Sequence, residues 1–198
     1  DFTFAGLAEI YQQNRERLYR PDTVIDSLFV PANLAFEVLL KQPKALTEAF
    51  LPDWQVEPNT QLIGRFDSSQ QHLRLDLRSK GILYRNTLLR DPHFAYRSFR
   101  DSTAFDFDLG RLELSSGYRI DSIYLGHIYR RRNLHFNYHW VLRDSIDSYA
   151  AFAGKASQKD SLDFRVLLNK GRFNIADRQF QLQPGARIRY DSSGASLD

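Results

Sequence analysis

Two carboxylates, Asp106 and Asp108, have the spacing in this sequence that is closest to a catalytic pair. They alternate with Phe105 and Phe107, so on an extended strand they would share one face, with Cα atoms about 6.7 Å apart. Carboxyl pairs at such a separation serve glycoside hydrolysis. Every charged strand face in this chain offers similar pairs, however, so the pattern favours a solvated surface over a glycosidase-like site.

His135 and His139 would suit a metal ion if they lay on a helix, where residues four apart share a face. The segment around them alternates as a strand does, and four strand residues span about 13 Å, too far for one ion. The basic turn Tyr129–Arg132 could touch a phosphate or an anionic head group. A solvated hairpin tip explains it equally well. We therefore expect no metal site.

The sequence lacks the signatures of other reactions. It has no cysteine, which excludes disulfides, thiolate nucleophiles and cysteine-based metal sites. No serine stands in a nucleophile-elbow context, and no glycine-rich phosphate loop or Walker pattern occurs. The 27 basic residues are nearly balanced by 24 acidic ones, which does not favour nucleic-acid binding. The sequence predicts neither an enzyme nor a protein with a cofactor.

Alternation of apolar and polar residues recurs along the chain and predicts strands with one apolar and one charged face. The clearest stretches are Leu34–Leu40, His72–Arg78, Ala104–Leu109, Leu134–Leu142 and Leu162–Leu168, with shorter ones at Leu62–Phe66, Tyr118–Leu125, Arg172–Ile175, Phe180–Leu182 and Ile188–Tyr190. Short polar turns, typical of links between antiparallel strands, are predicted at Asp67–Ser69, Lys80–Gly81, Arg100–Ser102, Ser115–Gly117, Asn169–Gly171 and Pro184–Gly185.

The sequence predicts few helices. Proline at the start of Pro43–Phe50, its Ala, Leu and Glu interior and the following Leu51-Pro52 predict a short helix at about residues 43–51. A second short helix, over Leu7–Leu18, would belong to an N-terminal lead-in of residues 1–31 that also holds a strand. No run of 18 apolar residues predicts a spanning helix. The chain opens on Asp1 without Met or signal peptide, so we expect a segment of a larger protein.

Strands with one apolar face must cover that face, and one short helix cannot cover a dozen strands. Two sheets could pair into a sandwich, or the sheet could close into a barrel. Alternatively, it could curl over itself and leave an open trough suited to acyl chains. General physical considerations alone favour the closed sandwich or barrel.

From Ala32 onward, the order of short sequence stretches resembles that of the translocation and assembly module TamB family, within the AsmA-like group of bridge-like lipid-transfer proteins. The matching stretches are Asn33–Val38, Phe50–Pro52, Pro58–Asp67, the leucine-alternating strand from Leu73, the Asp-Ser turns, Tyr138–Trp140 and Ile188–Tyr190. The resemblance covers residue 33 to the C-terminus. It consists of the spacing and order of strand and turn patterns and includes no catalytic motif.

The resemblance implies an all-β fold, with residues 32–198 in a long curled antiparallel sheet (a β-taco) whose concave face is apolar. It implies a periplasmic segment of an inner-membrane-anchored protein that carries phospholipid towards the outer membrane. Its partners would be phospholipid acyl chains and an outer-membrane barrel of the BamA or TamA type, and it would support outer-membrane protein assembly. The groove lining would be Leu73, Leu75, Leu77, Phe105, Phe107, Leu109, Leu134, Phe136, Tyr138, Trp140, Leu162, Phe164, Val166 and Leu168.

Two other functions remain open at this point. A closed β-sandwich would be a binding module for glycan or protein, but such modules usually carry a long functional loop, and the predicted turns are mostly short. The glycosidase-like reading would use Asp106 and Asp108. Transport along a groove would be passive, because the sequence contains no nucleotide site and acyl chains would exchange one hydrocarbon-like environment for another.

Overall fold

A computed structural model describes residues 33–67, 69–131, 133–143, 147–158, 164–175, 178–191 and 194–197. The predicted lead-in of residues 1–31, with its helix at Leu7–Leu18, lies outside the described residues. The strands are β1 Asn33–Leu40, β2 Trp54–Val56, β3 Thr60–Asp67, β4 His72–Arg78, β5 Gly81–Tyr84, β6 Thr87–Arg90, β7 His93–Phe99, β8 Ser102–Glu113, β9 Arg119–Arg130, β10 Asn133–Arg143, β11 Asp147–Gln158, β12 Phe164–Ile175, β13 Arg178–Leu182, β14 Ala186–Asp191 and β15 Gly194–Leu197. Within these described ranges there is one helix, α1, at Lys44–Phe50.

All 15 strands belong to one antiparallel sheet. Its main path runs β1-β3-β4-β7-β8-β9-β10-β11-β12-β14-β15, so neighbours in the sheet are mostly neighbours in the chain. The path begins at β1 and ends at β15, and no pairing joins these two among the described strands. The sheet is therefore open and long, consistent with a curled sheet, and the predicted β-taco class is confirmed. The closed sandwich or barrel favoured on general grounds is wrong.

The sheet has a crease, which we define as the bend where β4 meets β5 and β6 meets β7. β5 continues the line of β4 after Ser79, and β6 leads into β7 through Asp91-Pro92, where the Ser79 amide donates to the Pro92 carbonyl at 3.1 Å. Asp91 and, in β9, Ser122 adopt positive φ of 50° and 52°. Such local departures from extended backbone bend strands and sharpen their twist. The crease lets β2, β5 and β6 prolong the sheet and pair with the C-terminal part of β8.

The turn predicted at Asn169–Gly171 is wrong. β12 runs through these residues without a break, and the irregularity is absorbed by a bulge in its pairing with β11, between Ala153 and Gly154. A bulge accommodates one extra residue without reversing the chain. The two stretches predicted as separate strands therefore form one strand of 12 residues.

The helix α1 lies between β1 and β2 in the chain, and a threonine side chain hydrogen-bonds to carbonyl groups of its first turn. The Thr47 hydroxyl donates to the Pro43 and Lys44 carbonyls at 3.2 and 3.0 Å, and Thr47 is buried. Leu46 and Phe50 remain 50% and 76% exposed, so the helix does not bury its apolar side chains under the sheet. The sheet is thus left uncovered by α1.

Candidate functional site

The register of the sheet aligns apolar side chains into rows that cross ten strands. One row passes through Phe36, Gly64, Leu75, Tyr96, Phe105, His127, Phe136, Gly154, Leu168 and Ala186. A second passes through Val38, Leu62, Leu77, Phe94, Phe107, Leu125, Tyr138, Phe152, Gly171 and Leu182. A third passes through Leu34, Phe66, Leu73, Ser98, Thr103, Tyr129, Leu134, Ala156, Val166 and Ile188. We call these three rows together the apolar face.

The apolar face is long and continuous. Neighbouring strands lie about 4.8 Å apart, so nine steps between strands carry each row about 43 Å across the sheet. The hydrocarbon core of a bilayer is about 30 Å thick, so one acyl chain occupies about 15 Å of it. Each row is therefore longer than a single acyl chain.

Most of the apolar face is only half-buried. Phe66, Leu73, Leu109 and Ala150 are the buried apolar residues among those described, whereas Phe105, Phe107, Phe136 and Trp140 are intermediate. A closed sandwich would bury such rings between two sheets. Here the open sheet leaves them available to a hydrophobic ligand.

The residues predicted to line a groove lie together on this face. Leu73, Leu75, Leu77, Phe105, Phe107, Leu134, Phe136, Tyr138, Val166 and Leu168 belong to its three rows; Leu109, opposite Ile123, and Trp140, opposite Ala150, prolong it beyond the second row. Leu162 lies outside the described residues, and only the backbone of Phe164 is described, in β12.

Glycines let two aromatic rings lie close against the sheet. A Cβ on Gly154 would lie 2.7 Å from Cζ of Phe136 and 2.5 Å from the Leu167 carbonyl oxygen. Gly64 is covered in the same way by the ring of Phe36. Since a glycine has no side chain, the ring of its cross-strand neighbour can occupy that space and form the floor of the face.

Aromatic rings continue across the C-terminal half of the sheet. The ring centroids of Trp140 and Phe152 are 5.8 Å apart, and those of Phe152 and Phe173 are 6.1 Å apart. Phe173 stacks on Phe180, with ring centroids 5.0 Å apart and an interplanar angle of 12°. Phe152, Phe173 and Phe180 were absent from the predicted lining. The alternation of small residues with Phe152 in β11 was the available signal for that strand.

A hydrogen-bonded pair of aromatic polar side chains lies within the apolar face. The Tyr138 hydroxyl is hydrogen-bonded to Nε2 of His127, and the two rings meet edge to face at 5.1 Å. Burial lowers the pKa of the His127 imidazole and raises the pKa of the Tyr138 phenol, so both are neutral near pH 7. A neutral pair of this kind interrupts the face without adding a charge to it.

The opposite face of the sheet carries a cluster of ion-paired side chains around Asp106. Arg97 contacts Asp106 at 2.5 Å, and the Tyr124 hydroxyl donates to the same carboxylate at 2.9 Å. The shared face predicted for Asp106 and Asp108 agrees with the register, since they lie opposite Ala95 and His93. Asp106 is thus engaged by an arginine and a tyrosine, and Asp108 lies 3.8 Å from His93.

The two histidines singled out by their spacing also lie on this opposite face. His135 and His139 are exposed, and His139 stacks on Tyr124 at 5.3 Å. No group of three or more metal-ligating side chains occurs in the described part of the chain. Within the same residues, no helix is long and apolar enough to cross a bilayer.

Comparison with known proteins identifies no relative: no family model, no curated protein and no solved structure matches the chain.

Proposed function

We propose that this sheet is a segment of a periplasmic bridge that carries phospholipid acyl chains along its apolar face between the inner and outer membranes. The observation that supports the proposal is the register, which aligns half-buried apolar side chains into continuous rows across ten strands of an open sheet. The sequence resemblance to the TamB family points in the same direction. Anchoring in the inner membrane, an outer-membrane barrel partner of the BamA or TamA type and a role in barrel assembly are parts of the same proposal.

The mechanism follows from hydrophobic transfer. Each methylene of an acyl chain gains about 0.8 kcal/mol on leaving water, and this gain is nearly the same in a bilayer as on the apolar face. A chain therefore passes between them at little net free-energy cost. Head groups would remain at the open edge in water, where their charges stay hydrated.

The test is lipid mass spectrometry of protein purified from a Gram-negative host after gentle detergent extraction. We expect bound phospholipid on the unaltered chain and at least tenfold less on Leu125→Asp, because this residue lies in a row of the apolar face. Ile128→Asp is the matched control on the same strand: Ile128 lies on the opposite face and is 54% exposed. Equal lipid on both variants, or none on the unaltered chain, would refute the proposal.

A further inference from the structure

One row on the face opposite the apolar face contains cations and no acids. It passes through Ala35, Arg65, Arg74, Arg97, Ala104, Ile128, His135, Lys155, Leu167 and Arg187. At its β3–β4–β7 end, Arg65, Arg74 and Arg97 are direct cross-strand neighbours. Like charges placed directly opposite one another destabilise a sheet, so this arrangement calls for a compensating anion.

Within the described part of the chain, Arg97 has such an anion and its two neighbours do not. Arg97 is paired with Asp106. Arg65 and Arg74 are both exposed, and neither forms an ion pair or a hydrogen bond with a described residue. Two exposed arginine side chains therefore start from directly opposed positions on one face.

The acids nearest to these arginines are engaged elsewhere. Asp67, two residues from Arg65 and opposite His72, accepts a hydrogen bond from the Ser69 hydroxyl at 2.6 Å and from the backbone N–H groups of Ser69 and Gln70 at 2.9 and 3.1 Å. Asp76, two residues from Arg74, accepts from Arg78 at 3.0 Å and contacts His93 at 3.3 Å. Glu37 accepts a hydrogen bond from the Gln61 amide at 2.6 Å. Among the described residues, the arginine pair is thus left without a counter-ion.

The two arginines open onto one cleft. Arg65 and Arg74 line a cleft of about 510 Å³ together with His72 and Glu37. The His72 ring stacks on Phe99 at 4.7 Å, and its Nε2 is buried without a hydrogen-bond partner. The cleft therefore offers two guanidinium groups against one carboxylate, with the His72 ring in its wall. Arg74 also borders a neighbouring cleft, where Asp76, Asp106 and Asp108 lie with their own cationic partners.

We propose that Arg65 and Arg74, with His72 beside them, bind a phosphate group on this face. Arginine presents paired N–H donors that match the oxygens of phosphate, and two arginines side by side supply them from both sides. Because this face points away from the apolar face, a lipid whose chains lie in the groove cannot reach the cleft with its own phosphate. The site is thus a second binding site, independent of acyl-chain transport.

Titration of the whole chain with inorganic phosphate, followed by the arginine Nε–H resonances and by calorimetry, tests the site. We expect the Arg65→Gln/Arg74→Gln double variant to bind phosphate at least tenfold more weakly. Arg172→Gln, which removes an exposed arginine of β12 outside the cleft, should bind it as the unaltered chain does. Glu37→Gln should bind phosphate at least twofold more tightly, because it removes the one carboxylate of the cleft. Without phosphate, the double variant should melt no lower than the unaltered chain, since it relieves like-charge repulsion.

The source of the phosphate is distinguished by flotation with phosphatidylcholine vesicles with and without phosphatidic acid. Loss of phosphatidic-acid-dependent flotation in the double variant would identify a lipid head group as the ligand. Unchanged flotation, with weakened binding of inorganic phosphate, would identify a soluble phosphate compound. If the double variant and Arg172→Gln bind inorganic phosphate equally, or the unaltered chain binds none, the site does not exist. Acyl-chain binding should be normal in the double variant, so this failure would leave the groove proposal standing.

Discussion

Replacing Phe136 with aspartate would place a charge in the middle of the apolar face. Phe136 lies between His127 and Gly154 in its row, stacks on Tyr138 at 5.2 Å and is half-buried. Complete burial of a phenylalanine ring contributes about 1.5–3 kcal/mol, so the half that a bound chain would cover contributes about 1 kcal/mol. A carboxylate against hydrocarbon costs about 2.5–3.5 kcal/mol at a bilayer centre, and roughly half of that in a groove open to water.

These two effects add to about 2–3 kcal/mol, which is roughly a 30- to 150-fold loss of acyl-chain affinity. Phe136→Ser removes the ring without adding a charge and should lose only about 1 kcal/mol, or roughly fivefold. His135→Asp is the matched control, because His135 is the preceding residue, is exposed and lies on the opposite face. Its affinity should stay within about twofold of the unaltered chain.

Displacement of a fluorescent fatty-acyl probe measures these affinities, and far-ultraviolet circular dichroism confirms that each variant keeps its strands. The ordering of the three variants is the informative result. If His135→Asp weakens binding as much as Phe136→Asp does, the two faces are equivalent for the ligand and the reasoning from register is wrong. Unchanged affinity in Phe136→Asp would contradict it equally.

Three further predictions concern stability. Gly154→Ala should lower the free energy of unfolding by about 1–3 kcal/mol in urea titrations, because the new Cβ meets both the Phe136 ring and a backbone oxygen; an unchanged midpoint would contradict the close approach. The lowered pKa of His127 means that the unfolded chain binds the proton more readily, so stability should fall as pH drops through the ordinary histidine range. His127→Gln should flatten that melting-temperature profile and the exposed His135→Gln should not; identical profiles for both would refute the assignment. Burial opposes ionisation of Asp76, but its hydrogen bond with a histidine and the nearby arginine outweigh this and lower its pKa. Stability linked to this carboxylate should be lost as pH falls through its lowered pKa, and Asp76→Asn should lose about 1–3 kcal/mol at pH 7, measured by thermal melts.

The identity of the two faces could be predicted from the sequence because a strand has a period of two. The alternation around Leu73–Leu77 and Leu134–Trp140 is enough to place these side chains on one face of each strand. What alternation cannot give is the partner of each residue across the sheet. The rows depend on register, which is set by turns and bulges that single-strand patterns do not contain.

The missed elements have physical explanations. β11 contains alanine, glycine and serine where other strands carry leucine, so its alternation is weak, yet those small residues are what admits the Phe136 ring over Gly154. The break at Lys80–Gly81 was predicted as a turn, and the structure shows a kink from which β5 continues the line of β4. Backbone with Gly or Pro nearby is compatible with either outcome, and tertiary pairing decides between them.

The arginine pair also depended on register. Arg65 and Arg74 are nine residues apart in sequence, and each alone is an ordinary exposed cation on a strand. Their juxtaposition arises from the β3–β4 pairing. Within the described residues they lack a counter-ion because Asp67, Asp76 and Glu37 are committed to other partners. Neither fact is encoded in local sequence.

Photocrosslinking in living cells shows which face of the sheet contacts lipid. A photoreactive phenylalanine analogue at Phe107, in a row of the apolar face, should crosslink to phospholipid, and the same analogue at Ile128, on the opposite face and 54% exposed, should not. We expect to recover crosslinked lipid from the Phe107 position alone. Lipid recovered equally from both positions, or from neither, would contradict it.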